Sequence, residues 1–347
     1  MYFQDIADKF DIVETEKDYW FIRTSKGQNF STFTNHGFIG IGWNYITTQD
    51  LRDRNEFEIK AKIARLHEEK GIIGLDHRTQ SGKTKITSIY NKIKRFESLK
   101  EGDLVIIPSK GSESLSFGYI TDDIIFNDFD DSNCDLHKRR RVSWIITKKL
   151  VELDPIFYKI IFSKHAVSKL NFYDKYIDKV IKNVFIKDDE SHMVLDVMRT
   201  ENIPVEVLSG LIVSVRKLTS LINQDFELED DLSDNGIKLN LQSPGNVEFI
   251  YKRSKSLLVL SLMLSMPIVV SCSHSSASLT TTPENIAEEK ARNIAIIHSN
   301  LDGKSELSQE DKDGLVEFAT VHYDTIADAK NQMDTLAVNV EKLNSIN

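Results

Sequence analysis

Cysteine is scarce in this chain, which has only Cys134 and Cys272 among its 347 residues. Two cysteines so far apart cannot build a disulfide framework, and a structural metal site needs several ligands at short spacing. We therefore expect no metal, no cofactor and, for most of the chain, a reducing compartment. An excess of basic charge is also missing, because 53 acidic residues outnumber 44 basic ones. The net charge of −9 argues against a general nucleic-acid coat protein but allows a local basic patch.

The start of the chain lacks the hydrophobic run of a secretory signal. Residues 1–5 contain neither a basic segment nor an apolar core. We expect synthesis to begin in the cytoplasm and the first domain to stay there.

The first 185 residues combine strand-like and helix-like patterns. Aromatic and β-branched residues cluster in five strand-like segments, 19–23, 38–43, 102–108, 116–120 and 141–145. Apolar residues recur every three to four positions over about 49–70, which predicts a helix. A second, basic helix is predicted over about 84–99. The predicted fold class is α/β, with residues 1–185 as one domain that contains a sheet and helices.

A smaller unit is predicted over 186–253. It has the order β-α-β-β, and its helix opens at Pro204 and ends near Phe226. Such a unit buries little by itself, so we expect it to pack on a neighbour or on another copy, as a relay or oligomerisation module. The last segment, 280–347, is acidic and has a helical pattern.

Five short motifs of the first domain occur in a recognisable order. They are Trp20-Phe21-Ile22-Arg23, Gly40-Ile41-Gly42-Trp43, Gly102-Asp103-Leu104-Val105, Gly118-Tyr119-Ile120 and Arg141-Val142-Ser143-Trp144. Their order and spacing resemble the PUA-like, EVE-related N-terminal domain of Mrr-type restriction proteins and other prokaryotic defence proteins. The resemblance implies a PUA-like β-barrel or curved sheet that reads nucleic acid or modified bases through an aromatic-lined pocket. It also implies that Trp20, Trp43 and Trp144 are the matching aromatics.

The three tryptophans differ in their expected roles. Trp20 and Trp144 lie within strands, where an aromatic side chain more often belongs to the core. Trp43 ends its strand after Gly42 and suits the rim of a pocket. Trp43 is therefore the preferred ligand contact.

Basic side chains cluster in two places of this acidic protein. The predicted ligand-binding residues are Trp43, Lys83, Lys85, Tyr90, Lys94, Arg95, Lys138, Arg139, Arg140 and Arg141. Cations of this kind bind phosphates in a salt-dependent way, and nearby aromatic rings can stack bases for ~1–3 kcal/mol each. The same basic set includes Lys92. In the alternative interpretation these lysines form a solvated helix face, and Arg141 only opens a strand.

No set of catalytic residues is found, and the chain is predicted not to be an enzyme. Asp196 and Glu201 come nearest to a nuclease site, but they lack the lysine of an Asp…Glu-x-Lys arrangement. Residues 81–84 resemble the end of a phosphate-binding P-loop, yet His77 occupies the position where that loop needs glycine.

The uncharged run over residues 257–273 follows three basic residues. As a helix it would be ~25 Å long, slightly short of the ~30 Å hydrocarbon core of a bilayer. We predict a transmembrane helix over 254–276, with the N-terminal domain in the cytoplasm by the positive-inside rule. The predicted pore-lining residues of an oligomeric channel are Ser261, Ser265, Ile268 and Cys272. Three alternatives stay open: a simple anchor, a lipoprotein signal at Cys272, and a buried helix of a soluble domain.

The whole architecture, a defence-type reader ahead of one membrane segment, resembles the DNA-gated membrane channel of Hailong-type antiphage defence. The resemblance implies an ion channel of the bacterial inner membrane, in contact with lipid, as a homo-oligomer with a tetramer favoured. It also implies a nucleotidyltransferase partner and a nucleic-acid or nucleotide ligand, with short DNA favoured. The alternative is a reader, membrane-tethered or soluble, that recognises foreign or modified nucleic acid and recruits a partner nuclease.

Overall fold

The computed structural model describes residues 17–70, 76–122, 126–127, 134–163, 165–241, 245–268, 283–340 and 343. The chain separates into two compact units, of which the first covers Glu16–Ile177 and the second includes Asp178–Asn347. Both contain helices and strands. The predicted α/β fold class is therefore confirmed.

The first unit is built on one curled, half-barrel sheet. Its strands are β1 (Tyr19–Ile22), β2 (Phe38–Ile41), β3 (Leu104–Pro108), β4 (Ser114–Ile120), β5 (Phe126–Asn127), β6 (Lys138–Lys149) and β7 (Val167–Lys169). The order is β2-β6-β4-β3-β1-β7, with β5 paired to β6, and β1 runs parallel to β3 while the other pairs are antiparallel. Strand β6 pairs with β2 through residues 138–141 and with β4 through residues 142–149. One long strand therefore joins two parts of the sheet, which is how a sheet begins to close into a barrel.

Helices pack against this sheet. They are α1 (Phe30–His36), α2 (Thr48–Asp53), α3 (Glu56–Lys70), α4 (Gln80–Glu97), α5 (Ile156–Ile161) and α6 (Asp174–Ile181), the last of which contains the boundary between the units. The helix predicted over 49–70 is in fact two helices, because Arg54 and Asn55 interrupt it. Helix α4 buries Ile86, Ile93 and Phe96 in the core of the first unit, so its polar residues face outward.

The second unit contains an antiparallel sheet in the order β10-β11-β9-β12, with β8 paired to β9. Its strands are β8 (Val184–Lys187), β9 (Glu190–Val197), β10 (Asn235–Asn240), β11 (Gly245–Lys252) and β12 (Val338–Asn339). Its helices are α7 (Val205–Asp225), α8 (Lys255–Ser265), α9 (Pro283–Asp302), α10 (Gln309–Val321) and α11 (Tyr323–Thr335). A single hydrophobic cluster includes residues from Val184 to Leu343. Described residues from each of the three predicted segments, 186–253, 254–276 and 280–347, thus contribute to one core.

The predicted transmembrane helix is wrong. Among the residues that the structure describes, no helix combines the length and the apolar character that crossing a bilayer requires. Helix α8 has only 11 residues, and Ser256 through Leu264 are all buried in the core of the second unit. A helix that is apolar on every side either spans a membrane or lies inside a protein, and the sequence pattern is the same in both cases. This finding also overturns the prediction of an ion channel.

Two of the predicted pore-lining residues, Ser261 and Ser265, belong to the same core helix. The Ser261 hydroxyl donates to the Leu258 carbonyl at 2.6 Å, and the Ser265 hydroxyl donates to the Leu262 carbonyl at 2.7 Å. Both serines therefore satisfy their polar groups within the helix. Ile268 packs against the hydrophobic cluster, and Cys272 lies outside the described residues.

A buried lysine donates hydrogen bonds to the carbonyls at the C-terminal end of α8. The Lys330 ammonium, on α11, donates to the carbonyls of Leu264 and Met266, the second at 2.6 Å. The last carbonyls of a helix lack partners within the helix and carry partial negative charge, so a cation stabilises them. Lys330 thus links α11 to the end of the central helix while it is only 5% exposed.

Removing Lys330 is expected to change how the stability of the second unit depends on pH. Burial lowers the pKa of Lys330 from 10.5 to about 8, and the nearby Asp334 opposes this only in part. Between these two values the unfolded chain binds more protons than the folded one, so the free energy of unfolding rises with pH. The rise amounts to at most ~3 kcal/mol. Lys330→Met should lack this contribution, and denaturant unfolding followed by circular dichroism from pH 8 to 10.5 measures it.

The matched control is Lys217→Met, which removes an exposed lysine from α7 of the same unit. It should keep the pH dependence of the parent protein. If Lys330→Met also kept that dependence unchanged, Lys330 would titrate like a solvated lysine, contrary to its buried position.

Candidate nucleic-acid interface

An open groove of about 390 Å³ runs along the exposed side of α4. Three cations line it, Lys83, Lys92 and Arg95, and His165 lies at the groove from outside the helix. The other lining residues supply hydroxyl and amide groups and are Gln80, Thr84, Thr87, Ser88 and Asn91. These positions on α4 recur every three to four residues, so they form one face of the helix. From first to last they span ~22 Å of helix axis.

The groove is suited electrostatically to anions. None of the residues lining it in the described part of the chain is a carboxylate, although the protein as a whole carries a net charge of −9. Lys83 and Arg95 are exposed, and Lys92 is half-buried. Cations with neighbouring hydroxyl and amide donors form the typical contacts to phosphate oxygens. The α4 groove can therefore hold several phosphates of a chain.

Trp43 lies next to one of the groove cations. Its ring centroid is 5.5 Å from the Lys92 ammonium, a cation–π distance. The backbone of Trp43 has a φ of 58°, in the left-handed region, and its carbonyl accepts a hydrogen bond from the Lys138 ammonium at 3.0 Å. The half-buried ring thus has a defined position beside Lys92. Trp43, the aromatic residue predicted to contact the ligand, therefore lies next to the basic helix α4.

The other predicted residues of α4 have different positions. Lys85 is exposed but does not line the groove, and Lys94 forms an ion pair with Glu97. Tyr90 is half-buried against the core, with the Lys60 ammonium 5.3 Å from its ring centroid. Of the basic residues predicted on this helix, Lys83, Lys92 and Arg95 line the groove.

The second predicted basic cluster requires a correction, because Lys138, Arg139 and Arg140 are each only 1% exposed. The Lys138 ammonium donates to the carbonyls of Trp43 and Ile46 at 3.0 and 2.9 Å. Burial lowers the pKa of Lys138 to about 8, with Asp50 opposing the shift. The Lys138 ammonium thus donates to the backbone that follows β2, inside the unit.

The two buried arginines also bind backbone carbonyls. Arg139 donates from Nε to the Leu136 carbonyl at 2.8 Å and from Nη2 to the Cys134 carbonyl at 3.0 Å, and its guanidinium lies 4.3 Å from the centroid of the Phe38 ring. These contacts hold the chain that leads into β6. Lys138, Arg139 and Arg140 therefore do not form the exposed basic surface that the sequence predicts.

Arg140 donates from Nη1 to the Asp122 carbonyl at 3.0 Å and from Nη2 to the Glu97 carbonyl at 2.8 Å and to the Leu99 carbonyl. It thereby anchors the end of α4, since Glu97 is the last residue of that helix. Arg141, the remaining member of the run, is exposed.

Trp20 belongs to the core cluster of the first unit, and the half-buried Trp144 packs against this cluster. The Trp20 indole donates to the Asp103 carboxylate at 2.8 Å, and the Trp144 indole donates to the Phe33 carbonyl at 2.8 Å. Buried indoles usually have such a partner. These contacts agree with the expectation that mid-strand tryptophans are structural.

His165 is the groove residue that sequence reasoning missed. It lies two residues before β7, far along the chain from α4, and a lone histidine carries no local signal of a site. Only the packing of α4 near β7 brings it to the groove. Within the described ranges, no group of three or more His, Cys, Asp or Glu residues is arranged to hold a metal ion.

The comparisons with known proteins concern the first unit. Residues 20–171 match the model of a family described as "Domain of unknown function (DUF8426)". The match includes the whole of α4, Trp43 and His165. Neither a curated protein nor a solved structure is significantly similar to this chain.

Proposed function

We propose that the first unit is a nucleic-acid reader and that the α4 groove binds the phosphates of a single strand. The observation that carries the proposal is the lining of this groove, with three cations, several hydroxyl and amide donors and no carboxylate among its described residues. A length of ~22 Å suits a chain of phosphates better than one isolated anion. The PUA-like character implied by the sequence motifs is part of the same proposal.

In this proposal the chain recognises foreign or modified nucleic acid, performs no chemistry itself and recruits a partner nuclease. The resemblance of the first-domain motifs to defence-type readers supports this role. The defence context, the nucleotidyltransferase partner and the homo-oligomeric state stay predictions. Positively charged grooves with nearby aromatic rings are how many proteins bind single strands without strong sequence preference.

Arg95→Ala is expected to weaken binding of a fluorescent single-stranded DNA by ~10-fold at moderate salt, because one phosphate contact is lost. The slope of the logarithm of affinity against the logarithm of salt concentration should become smaller by about 1. Fluorescence anisotropy of the full chain, repeated with RNA and duplex DNA of the same sequence, measures both quantities.

The control is Lys85→Ala, which removes an exposed cation from the same helix but from outside the groove. Its affinity and salt slope should stay close to those of the parent protein. Equal losses for Arg95→Ala and Lys85→Ala would indicate a general charge effect, and the α4 groove would then not be the binding site.

A further inference from the structure

A second cavity, of about 430 Å³, lies between α3 and α4. Its walls are largely apolar and include Ala61 and Ala64 of α3 and Ile86 of α4. Phe57, at the start of α3, lines it with a side chain that is 80% exposed. Exposure of a large aromatic ring to water is unfavourable in free energy, so a stacking partner would stabilise Phe57 in this position.

The lining of this cavity also carries cations. Lys60, Arg65 and Lys83 line it together with His77, and no carboxylate is among the lining residues that the structure describes. Lys60 also pairs with Glu56 one turn earlier in α3. A lining that combines apolar side chains with several cations fits a flat aromatic group that carries an anion. A nucleotide has these two parts, and the volume lies in the usual range of ligand pockets, roughly 300–1,000 Å³.

The cavity and the α4 groove share two lining residues. Lys83 and Thr87 line both. A strand whose phosphates lie along the α4 groove can therefore place one phosphate at Lys83 and direct the attached base between α3 and α4. The described residues that line the groove are, besides His165, cationic, hydroxyl-bearing or amide-bearing, whereas the cavity has apolar side chains in its lining.

We propose that the α3–α4 cavity binds one unstacked nucleobase of the strand held in the α4 groove, with Phe57 stacking on that base. This inference rests on the proposed reader function and adds where a base is read. Extruding a base from its stack costs energy that an aromatic, apolar pocket offsets, so unpaired strands are the favoured class of ligand over duplexes. Specificity for a base would then come from helices α3 and α4, not from the sheet.

The test compares two strands of about 12 nucleotides, a thymidine homopolymer and a chain of abasic sugar-phosphates of equal length. Both carry the same phosphates, and only the first offers bases. Phe57→Ala in the full chain is expected to weaken binding of the thymidine strand by roughly 5- to 150-fold, the range for loss of one aromatic stacking partner. Binding of the abasic strand should not change. Because Phe57 is largely exposed, the substitution leaves the core intact.

Phe172→Ala is the matched control, since Phe172 is 97% exposed in the same unit and lies outside the cavity lining. It should bind both strands as the parent protein does. If Arg95→Ala weakens both strands while Phe57→Ala weakens neither, the reader proposal stands and the base pocket is wrong. If Phe57→Ala weakens both strands equally, Phe57 does not contact a base. If the parent protein binds neither strand, both proposals fail.

Discussion

Replacing Arg140 by methionine is expected to lower the free energy of unfolding of the first unit by roughly 3–5 kcal/mol. Methionine has a similar length but no donor, so the carbonyls of Glu97, Leu99 and Asp122 lose the partner that a side chain only 1% exposed provides. The Asp122 carboxylate, 3.6 Å from the guanidinium, loses a nearby positive charge as well. Few single substitutions cost this much, and loss of a buried, hydrogen-bonded cation is among them.

Tryptophan fluorescence is the measurement for this prediction. All three tryptophans, Trp20, Trp43 and Trp144, lie in the first unit, so their signal follows its unfolding separately from that of the second. Arg141→Met is the matched control, because Arg141 is the next residue in the run but is exposed, and a surface charge contributes at most ~1 kcal/mol. If Arg140→Met instead kept full stability and lost affinity for single strands, the basic run would be a ligand contact.

The second large effect is expected at Glu248, which is fully buried in the second unit. One carboxylate oxygen lies 2.9 Å from Nδ1 of His192, and the other pairs with the ammonium of Lys179. Glu248→Gln keeps the shape of the side chain and removes its charge, so the 14%-exposed Lys179 cation loses the attraction of this carboxylate. Breaking a buried pair in this way costs roughly 3–5 kcal/mol.

The pH dependence provides a separate check on Glu248. Burial alone would raise the pKa of this carboxyl, but the hydrogen bonds from His192 and Lys179 and their charges outweigh it, so the pKa lies below its ordinary 4.5. A lowered pKa stabilises the folded state above pH 4.5, and this contribution is lost as the pH falls through the folded-state value. The difference in unfolding free energy between parent and Glu248→Gln should therefore shrink on acidification.

Circular dichroism in urea, from neutral to acidic pH, measures that difference. Glu190→Gln is the control, because Glu190 is 39% exposed and its carboxylate lies 3.6 Å from Nε2 of the same histidine. It should change stability by well under ~1 kcal/mol at neutral pH. A difference for Glu248→Gln that stayed constant down to strongly acidic pH would contradict the ionised, paired state of Glu248.

Much of the local structure could be predicted from periodicity. Strands β1, β2, β3, β4 and β6 lie where aromatic and β-branched residues cluster, and the second unit has the order β9-α7-β10-β11 that alternation and helical spacing indicate. Part of the candidate site was predictable too. Because α4 is amphipathic, its apolar positions were expected to face a core and its basic residues to face water, and Lys83 and Arg95 are indeed exposed.

The rest of the candidate site could not be predicted, because it depends on contacts between distant parts of the chain. Consecutive cations at 138–140 look like a surface patch, yet carbonyls supplied by residues 97–99, 122 and 134–136 surround the two arginines. Every residue has a backbone carbonyl, so the sequence does not indicate which carbonyls will surround the arginines. The α3–α4 cavity likewise exists only because two helices pack side by side.

The sequence by itself determined the fold class, the place of most strands and the basic face of α4, because these follow from spacings of a few residues. Only the tertiary structure decided whether an apolar segment or a charged run is buried in the core or exposed at the surface. Helix α8 has the composition of a membrane span, but Lys330, 64 residues beyond Met266, binds its last carbonyls and the surrounding core buries it. Burial depends on which partners arrive from elsewhere in the chain, and local patterns carry no information about them.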